Sequence, residues 1–266
     1  MIRHRDFLVQ LESFDNESRN AARYIYANLA IQHAGSQSRK LLGRLNETPT
    51  LWLTVGASLQ TSAYIALGRI FDDDSKYNIH RLLEAGEGNL ALFDRQALAH
   101  RKRQGQSSDP QWLPGYLDKA HYPTSRDFKH LRKLVAKYHD LYNRAIRPAR
   151  NKYIAHRERQ EHSEVSELFN RGKVKDLWRI SVFLQQLHEA LWELLHNGRK
   201  PSFRRQRYSI PSMFRKPPTG SSAHEGIVRE VQKLMAMLER VPPNPALNRT
   251  GRRAPSTKRA SARPAG

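Results

Sequence analysis

The sequence predicts an all-α protein. Apolar residues recur every three to four positions through most of its 266 residues, which is the period of an amphipathic helix. No stretch shows the strict alternation of apolar and polar residues that marks a half-buried strand. With 38% hydrophobic residues the chain can bury a core, and its length suits one domain of up to ~200 residues with extensions, or two small domains. We therefore expect a bundle of long antiparallel helices with a flexible basic C-terminal extension.

The first part of the chain is expected to supply two long helical regions. Residues 5–46 have the apolar period of one or two amphipathic helices, and Pro49 is a typical first residue of the next helix, 49–72. Residues 50–68 carry no charge and approach the length of a membrane span. However, polar residues at 58–62 would be costly in lipid. We expect helix 49–72 to be a central helix wrapped by its neighbours in a soluble protein.

The middle of the chain is expected to hold shorter elements. Helices are predicted around 79–83 and over 89–104, and a proline-rich segment from Pro110 to Pro123 predicts a long loop. Arg69 and Asp72 lie three residues apart on one helix, so we expect them to pair or to orient the neighbouring turn.

A strongly amphipathic helix should follow, capped by Ser125. Its apolar positions are Phe128, Leu131, Leu134, Val135, Tyr138, Leu141 and Tyr142. Pro148 should break or kink this helix, because proline lacks the backbone donor that a helix interior needs. The helix that resumes at Ala149 would contain Arg150 and His156.

The remaining elements divide the chain into segments. A long helix is predicted from about Lys173 to His196, with Gly198 as its stop. We expect four segments: a helical domain over 1–200, a basic flexible connector over 201–222, a C-terminal helix over 223–240 and a disordered basic tail over 241–266.

The net charge of +21 is concentrated in two stretches. Residues 199–216 carry seven Lys and Arg and residues 241–266 carry six, and neither stretch contains an acid. Such tails can bind RNA or DNA through phosphates, or they can simply be solvated, and charge alone names no substrate. The absence of cysteine excludes disulfides, thiolate nucleophiles and Cys-based zinc sites. The N-terminus lacks the apolar core of a secretory signal, and we expect a cytoplasmic protein.

The stretch Arg150-Asn-Lys-Tyr-Ile-Ala-His156 carries the candidate chemistry. Histidine moves protons near neutral pH, and arginine forks onto phosphate oxygens. Asn151 could orient the histidine or contact a phosphate oxygen, and Lys152 lies one turn before His156 on the same face. The same residues could equally form a solvated helix face with His156 at a packing contact, because other Arg–His pairs of similar spacing occur in the chain.

Metal and cofactor sites have little support in the sequence. The histidines lack zinc-binding spacing, and no glycine-rich phosphate loop is present. The run Asp72 to Asp74 could attract a divalent ion, although a polar helix end is the commoner explanation of such a run. We expect no metal and no cofactor.

The Arg150–His156 stretch resembles the Arg-polar-x(3–5)-His signature of HEPN domains, small helical bundles found in toxins and phage-defence proteins. Leu67-Gly-Arg-Ile-Phe-Asp72, followed by Asn78-Ile-His-Arg-Leu-Leu83, resembles the AbiU-type branch, which is named for abortive phage infection. The resemblance covers roughly residues 5–210.

The resemblance implies an HEPN-like bundle acting as a metal-independent endoribonuclease. It implies that His156 transfers protons, that Arg150 binds phosphate, and that a homodimer brings two motifs together on RNA, with an antitoxin or regulatory partner. Two other functions stay open. The chain could be a non-catalytic HEPN interaction or scaffold module, or a nucleic-acid-binding protein driven by its basic tails.

Overall fold

The computed structural model describes residues 4–103, 110–151, 174–203, 210–215 and 223–242. Every regular element among these residues is a helix, which confirms the all-α prediction. The elements are α1 (His4–Gln37), α2 (Arg39–Leu45), α3 (Pro49–Phe71), α4 (Ile79–Glu87), a 3₁₀ turn (Leu90–Phe93), α5 (Arg95–Arg103), α6 (Leu113–Lys119), α7 (Ser125–Ala145), α8 (Arg147–Ala149), α9 (Val174–Asn197), α10 (Ile210–Arg215) and α11 (Ala223–Arg240).

Helix α1 is the centre of the bundle. It packs against α3, α9 and α11 and also contacts α2, α4 and α10. Phe7, Leu11 and Phe14 are buried at three-to-four spacing near its start, which is the apolar face that the sequence predicted. Ser38 separates α1 from α2 and caps α2, because its Oγ accepts from the backbone N–H of Leu41 at 3.1 Å.

Helix α3 differs from the expectation of a helix wrapped along its whole length. Its C-terminal part is buried from Ala63 to Phe71, apart from Ile65 and Arg69. Its N-terminal part is open, and Leu53 is 74% exposed there. The uncharged run is therefore half core and half apolar surface.

The middle of the chain also differs from expectation in two places. The helix predicted over 89–104 is split, because Asp94 Oδ1 accepts from the backbone N–H of Ala97 at 2.7 Å and begins a new helix. The segment expected as a long loop contains α6, which opens with Pro114 in its first turn. Leu113 and Leu117 of α6 are buried against α5.

The N-terminal cap of helix α7 lies one residue earlier than predicted. The cap is Thr124 rather than Ser125, because Asp127 stands three residues after Thr124 and completes a capping box. The backbone N–H of Thr124 donates to Asp127 Oδ2 at 2.9 Å. Phe128, Leu131 and Val135 are buried, as their spacing predicted.

The predicted helix break near Pro148 is confirmed, but the helix resumes at Arg147 rather than at Ala149, because proline fits the first turn of a helix. Helix α7 ends at Ala145, and Ile146 leaves helical geometry at φ −123° and ψ −47°. The chain then turns back into helix, with the backbone N–H of Arg150 bonded to the carbonyl of Ile146 at 3.0 Å. This break directs Arg150 towards the end of α3.

Helix α9 packs against α1 and α7 and contributes one side of the core. Its predicted apolar positions are all buried: Ile180, Leu184, Leu187, Leu191 and Leu195. Gly198 ends it with φ +55°, a conformation that suits glycine. A Cβ there would lie 2.8 Å from Ala120 Cβ.

The C-terminal part adds two further helices. Helix α11 matches the predicted range 223–240 and buries Val228, Val231 and Met235. Helix α10 lies inside the predicted connector, where the Phe214 ring meets that of His33 at 4.8 Å. The division into four segments stays a prediction. Among the described residues, no helix combines the length and the apolar character that crossing a membrane requires.

Candidate functional site

Arg150 meets Asp72 where α3 ends and α7 breaks. Its Nη2 lies 2.8 Å from Asp72 Oδ2, and its Nη1 donates to Asn151 Oδ1 at 2.7 Å. The Arg150 side chain is 30% exposed and that of Asp72 12% exposed. The guanidinium is thus held in one orientation from two sides while part of it still faces solvent.

The second oxygen of Asp72 binds a buried tyrosine. The Tyr142 hydroxyl donates to Asp72 Oδ1 at 2.9 Å, and its side chain is fully buried. Burial, together with the negative charge of Asp72, raises the pKa of Tyr142 well above its usual range. Tyr142 therefore stays a protonated donor, and it fixes the carboxylate that holds Arg150.

Gly68 makes room for the arginine. A Cβ at this position would lie 3.0 Å from Arg150 Nε and 3.3 Å from Asp72 Oδ2. Such contacts are tighter than most Cβ contacts in proteins, so the absence of a side chain lets the guanidinium lie against the last turns of α3 without a shift.

Asn78 locks the turn that follows Asp72. It is buried, and its side-chain nitrogen donates to the carbonyls of Asp73 and Ser75 at 3.0 Å each. Its side-chain oxygen accepts from the backbone N–H of Arg81 at 2.9 Å, which caps α4. One residue thereby joins the end of α3 to the start of α4.

Two histidines form a contact beside this turn. His80 Nε2 of α4 lies 3.2 Å from His139 Nδ1 of α7. The His139 ring stacks on Phe71 with centroids 5.9 Å apart, and Phe71 stacks on Tyr142 at 5.1 Å. Burial lowers the pKa of His80, and the neighbouring His139 lowers it further. The histidine pair is thus connected to Arg150 through Phe71, Tyr142 and Asp72 in turn.

The predicted site residues are only partly within the described chain. Arg150 and Asn151 are described and lie in contact. Lys152 and His156 lie outside the described residues. The expected pairing of Arg69 with Asp72 is wrong, because Arg69 Nη1 bonds Glu17 Oε1 of α1 at 3.0 Å and Asp72 turns to Arg150 instead.

Sequence reasoning missed the partners of the arginine. The sequence predicts Asp72 at a helix end and Tyr142 at a core position. Both are polar groups near the C-terminal end of a helix with a buried face, but the sequence does not show that they meet. Within the described ranges, no group of three or more His, Asp or Glu side chains is arranged to hold a metal ion.

Comparison with known families identifies the family of the chain. A family model for AbiU2 matches residues 5–212. The chain belongs to the AbiU2 family of HEPN domains. The resemblance seen in the motifs around Asp72 and Arg150 is thereby confirmed, and the match spans α1 to α10. Searches of curated proteins and of solved structures gave no significant match.

Proposed function

We propose that this AbiU2 protein is a metal-independent endoribonuclease, with Arg150 as its phosphate-binding group and His156 as its proton-transfer group. The observation that supports the proposal is the holding of the Arg150 guanidinium by Asp72 and Asn151. An arginine that is oriented before substrate arrives loses less freedom on binding phosphate. Its partial exposure leaves it accessible to a phosphodiester group.

The chemistry needs no metal. The ribose 2′-oxygen attacks phosphorus while the bond from phosphorus to the 5′-oxygen breaks. His156 accepts the proton of the 2′-hydroxyl, and a second group donates a proton to the leaving 5′-oxygen. Arg150 stabilises the negative charge that builds up on the phosphoryl oxygens.

The second proton-transfer group is proposed to come from a homodimer. In-line attack places acid and base on opposite sides of phosphorus, and each protomer carries one motif histidine. A dimer joined near Pro148 and His156 would bring two motifs to one RNA strand. Asn151 is proposed to keep Arg150 oriented, and Lys152 to contact a neighbouring phosphate.

The proposed biological role rests on membership of the AbiU2 family. We propose that the protein acts on cytoplasmic RNA as a toxin-type effector in abortive phage infection. Such an enzyme requires control in uninfected cells, so an antitoxin or regulatory partner is part of the proposal.

One observation favours a second function. The contacts of Asp72 with Arg150 and Tyr142 also hold the end of α3 against α7, which is a purely structural role. The alternative is a non-catalytic HEPN module that binds a partner through this fold without cutting RNA. In that case Arg150 would matter for stability alone.

RNA cleavage in EDTA by the purified full chain separates these functions. Wild type, Arg150→Ala and His156→Ala would be compared with Arg23→Ala, an exposed arginine of α1. Helical circular dichroism and urea unfolding would show which variants remain folded. We expect wild type and Arg23→Ala to cleave, and the two site variants to be folded but inactive. Equal cleavage by all four, or none by wild type, would overturn the proposal.

A further inference from the structure

Helix α7 presents an exposed row of cations along one side. Exposed Lys and Arg side chains recur at spacings of three, four, four and seven residues, which places them within one narrow arc of a helix with 3.6 residues per turn. We call this set the α7 stripe, and its members are Arg126, Lys129, Lys133, Lys137 and Arg144. From end to end it spans about 27 Å, from 1.5 Å per residue.

The stripe is nearly free of negative charge. Asp140 is the one acidic residue of α7 within the same arc, and the other acid of the helix, Asp127, is used in the N-terminal cap. Arg132, on the flank of the stripe, is neutralised by Glu87 of α4. Among the described residues, no carboxylate forms an ion pair with a member of the stripe.

The long helices α1 and α11 mix basic and acidic residues, whereas the short helices α2 and α5 contain Lys and Arg and no acid. On α1 the exposed Arg19 is paired with Asp15 at 2.6 Å, and on α11 exposed Arg229 stands beside exposed Glu230. Like charges four residues apart destabilise a helix rather than support it. Lys129, Lys133 and Lys137 of the stripe therefore repel one another, and binding an anion would relieve that repulsion.

The stripe also points to the candidate site. Arg144 is its last member, and after the break at Ile146 the exposed Arg147 continues the basic surface to within one turn of Arg150. The cations from Arg126 to Lys137 follow one another at intervals of about one helical turn, and such a row fits a polymer with regularly spaced anions. The RNA backbone is such a polymer, with one phosphate for each nucleotide.

We propose that the α7 stripe binds successive phosphates of single-stranded RNA and leads the strand to Arg150. The direction of the strand towards Arg150 rests on the function proposed above. The binding itself does not, because phosphate contacts require no cleavage. Recognition by the stripe is independent of base sequence, since its side chains reach phosphates rather than base edges.

The test measures binding of a single-stranded 2′-O-methyl RNA, which lacks the attacking hydroxyl and cannot be cut by this route. Lys133→Gln/Lys137→Gln would be compared with Arg39→Gln/Lys40→Gln, an exposed pair on α2 with the same loss of charge. Fluorescence anisotropy over a range of NaCl concentrations gives the slope of log affinity against log salt. Each lost phosphate contact lowers that slope by about 0.7 for single strands.

We expect the stripe variant to lower the slope by about 1.4 and the α2 variant to leave it near the wild-type value. Equal slopes for the two variants would overturn the proposal, whatever the cleavage assay shows. A stripe variant that loses binding to phosphatidylserine vesicles while keeping its RNA affinity would also overturn it. A lowered slope in a protein without RNase activity would support the stripe and reject the enzyme.

Discussion

Replacement of Asp72 should separate its charge from its hydrogen bond. Asp72→Ala removes both contacts and leaves the buried Tyr142 hydroxyl without an acceptor, which costs about 1–3 kcal/mol. Loss of the partly exposed ion pair with Arg150 adds at most about 1 kcal/mol. The total is about 1–4 kcal/mol. Asp72→Asn keeps a side-chain oxygen for Tyr142 and loses the charge, so it should cost only about 1 kcal/mol.

The assay is urea unfolding followed by helical circular dichroism, with Tyr142→Phe as the partner variant. Tyr142→Phe leaves the Asp72–Arg150 pair in place and should cost about 1 kcal/mol. Combined with Asp72→Ala, its effect should be less than additive, because the unsatisfied hydroxyl is no longer present.

Equal costs for Asp72→Ala and Asp72→Asn would refute this reasoning, as would full additivity with Tyr142→Phe. Asp72→Asn has a second use, since it should stay folded while releasing the guanidinium of Arg150. We expect Asp72→Asn to lose most of its RNA cleavage in EDTA, while its free energy of unfolding falls by only about 1 kcal/mol.

Three further predictions concern other positions. Gly68→Ala places a Cβ 3.0 Å from the guanidinium Nε, so kcat/KM for RNA should fall, whereas Gly115→Ala, with no atom near its Cβ, should leave it unchanged. The pKa of His80 is lowered in the fold, so the unfolded chain binds a proton at His80 more readily than the folded chain does. The folded state therefore loses stability as the pH falls through about 6.5. His80→Gln should make the free energy of unfolding, measured with urea, less dependent on pH between pH 7 and pH 5. An unchanged pH dependence would contradict a lowered pKa for His80. Gly198→Ala, at φ +55°, should destabilise the protein by about 1–3 kcal/mol, and a neutral result would show that α9 can end in another way.

The sequence predicted those features that depend on local chemistry. The period of α7, the break at Pro148 and the stop at Gly198 each follow from a residue's own geometry or from spacing along one helix. The Thr124 cap could also have been found, because Asp127 stands at the correct distance from it.

The sequence could not predict features that depend on distant neighbours. Asp72 and Arg150 belong to different helices, and a single sequence contains no sign that they meet. The same holds for Arg69, which bonds Glu17 of α1. The exposed half of α3 was missed for a related reason, since an uncharged run shows that burial is possible but not which neighbours will cover it.

The central claim is that Arg150 and His156 operate metal-free attack by the ribose 2′-hydroxyl. The most direct measurement uses an RNA oligonucleotide with a single free 2′-hydroxyl, all other riboses being 2′-O-methylated, incubated with the full chain in EDTA. We predict cleavage after that one ribose, leaving a 2′,3′-cyclic phosphate, and none with Arg150→Ala or His156→Ala. Cleavage at other positions, a 5′-phosphate product, or the same product from Arg150→Ala would contradict the account.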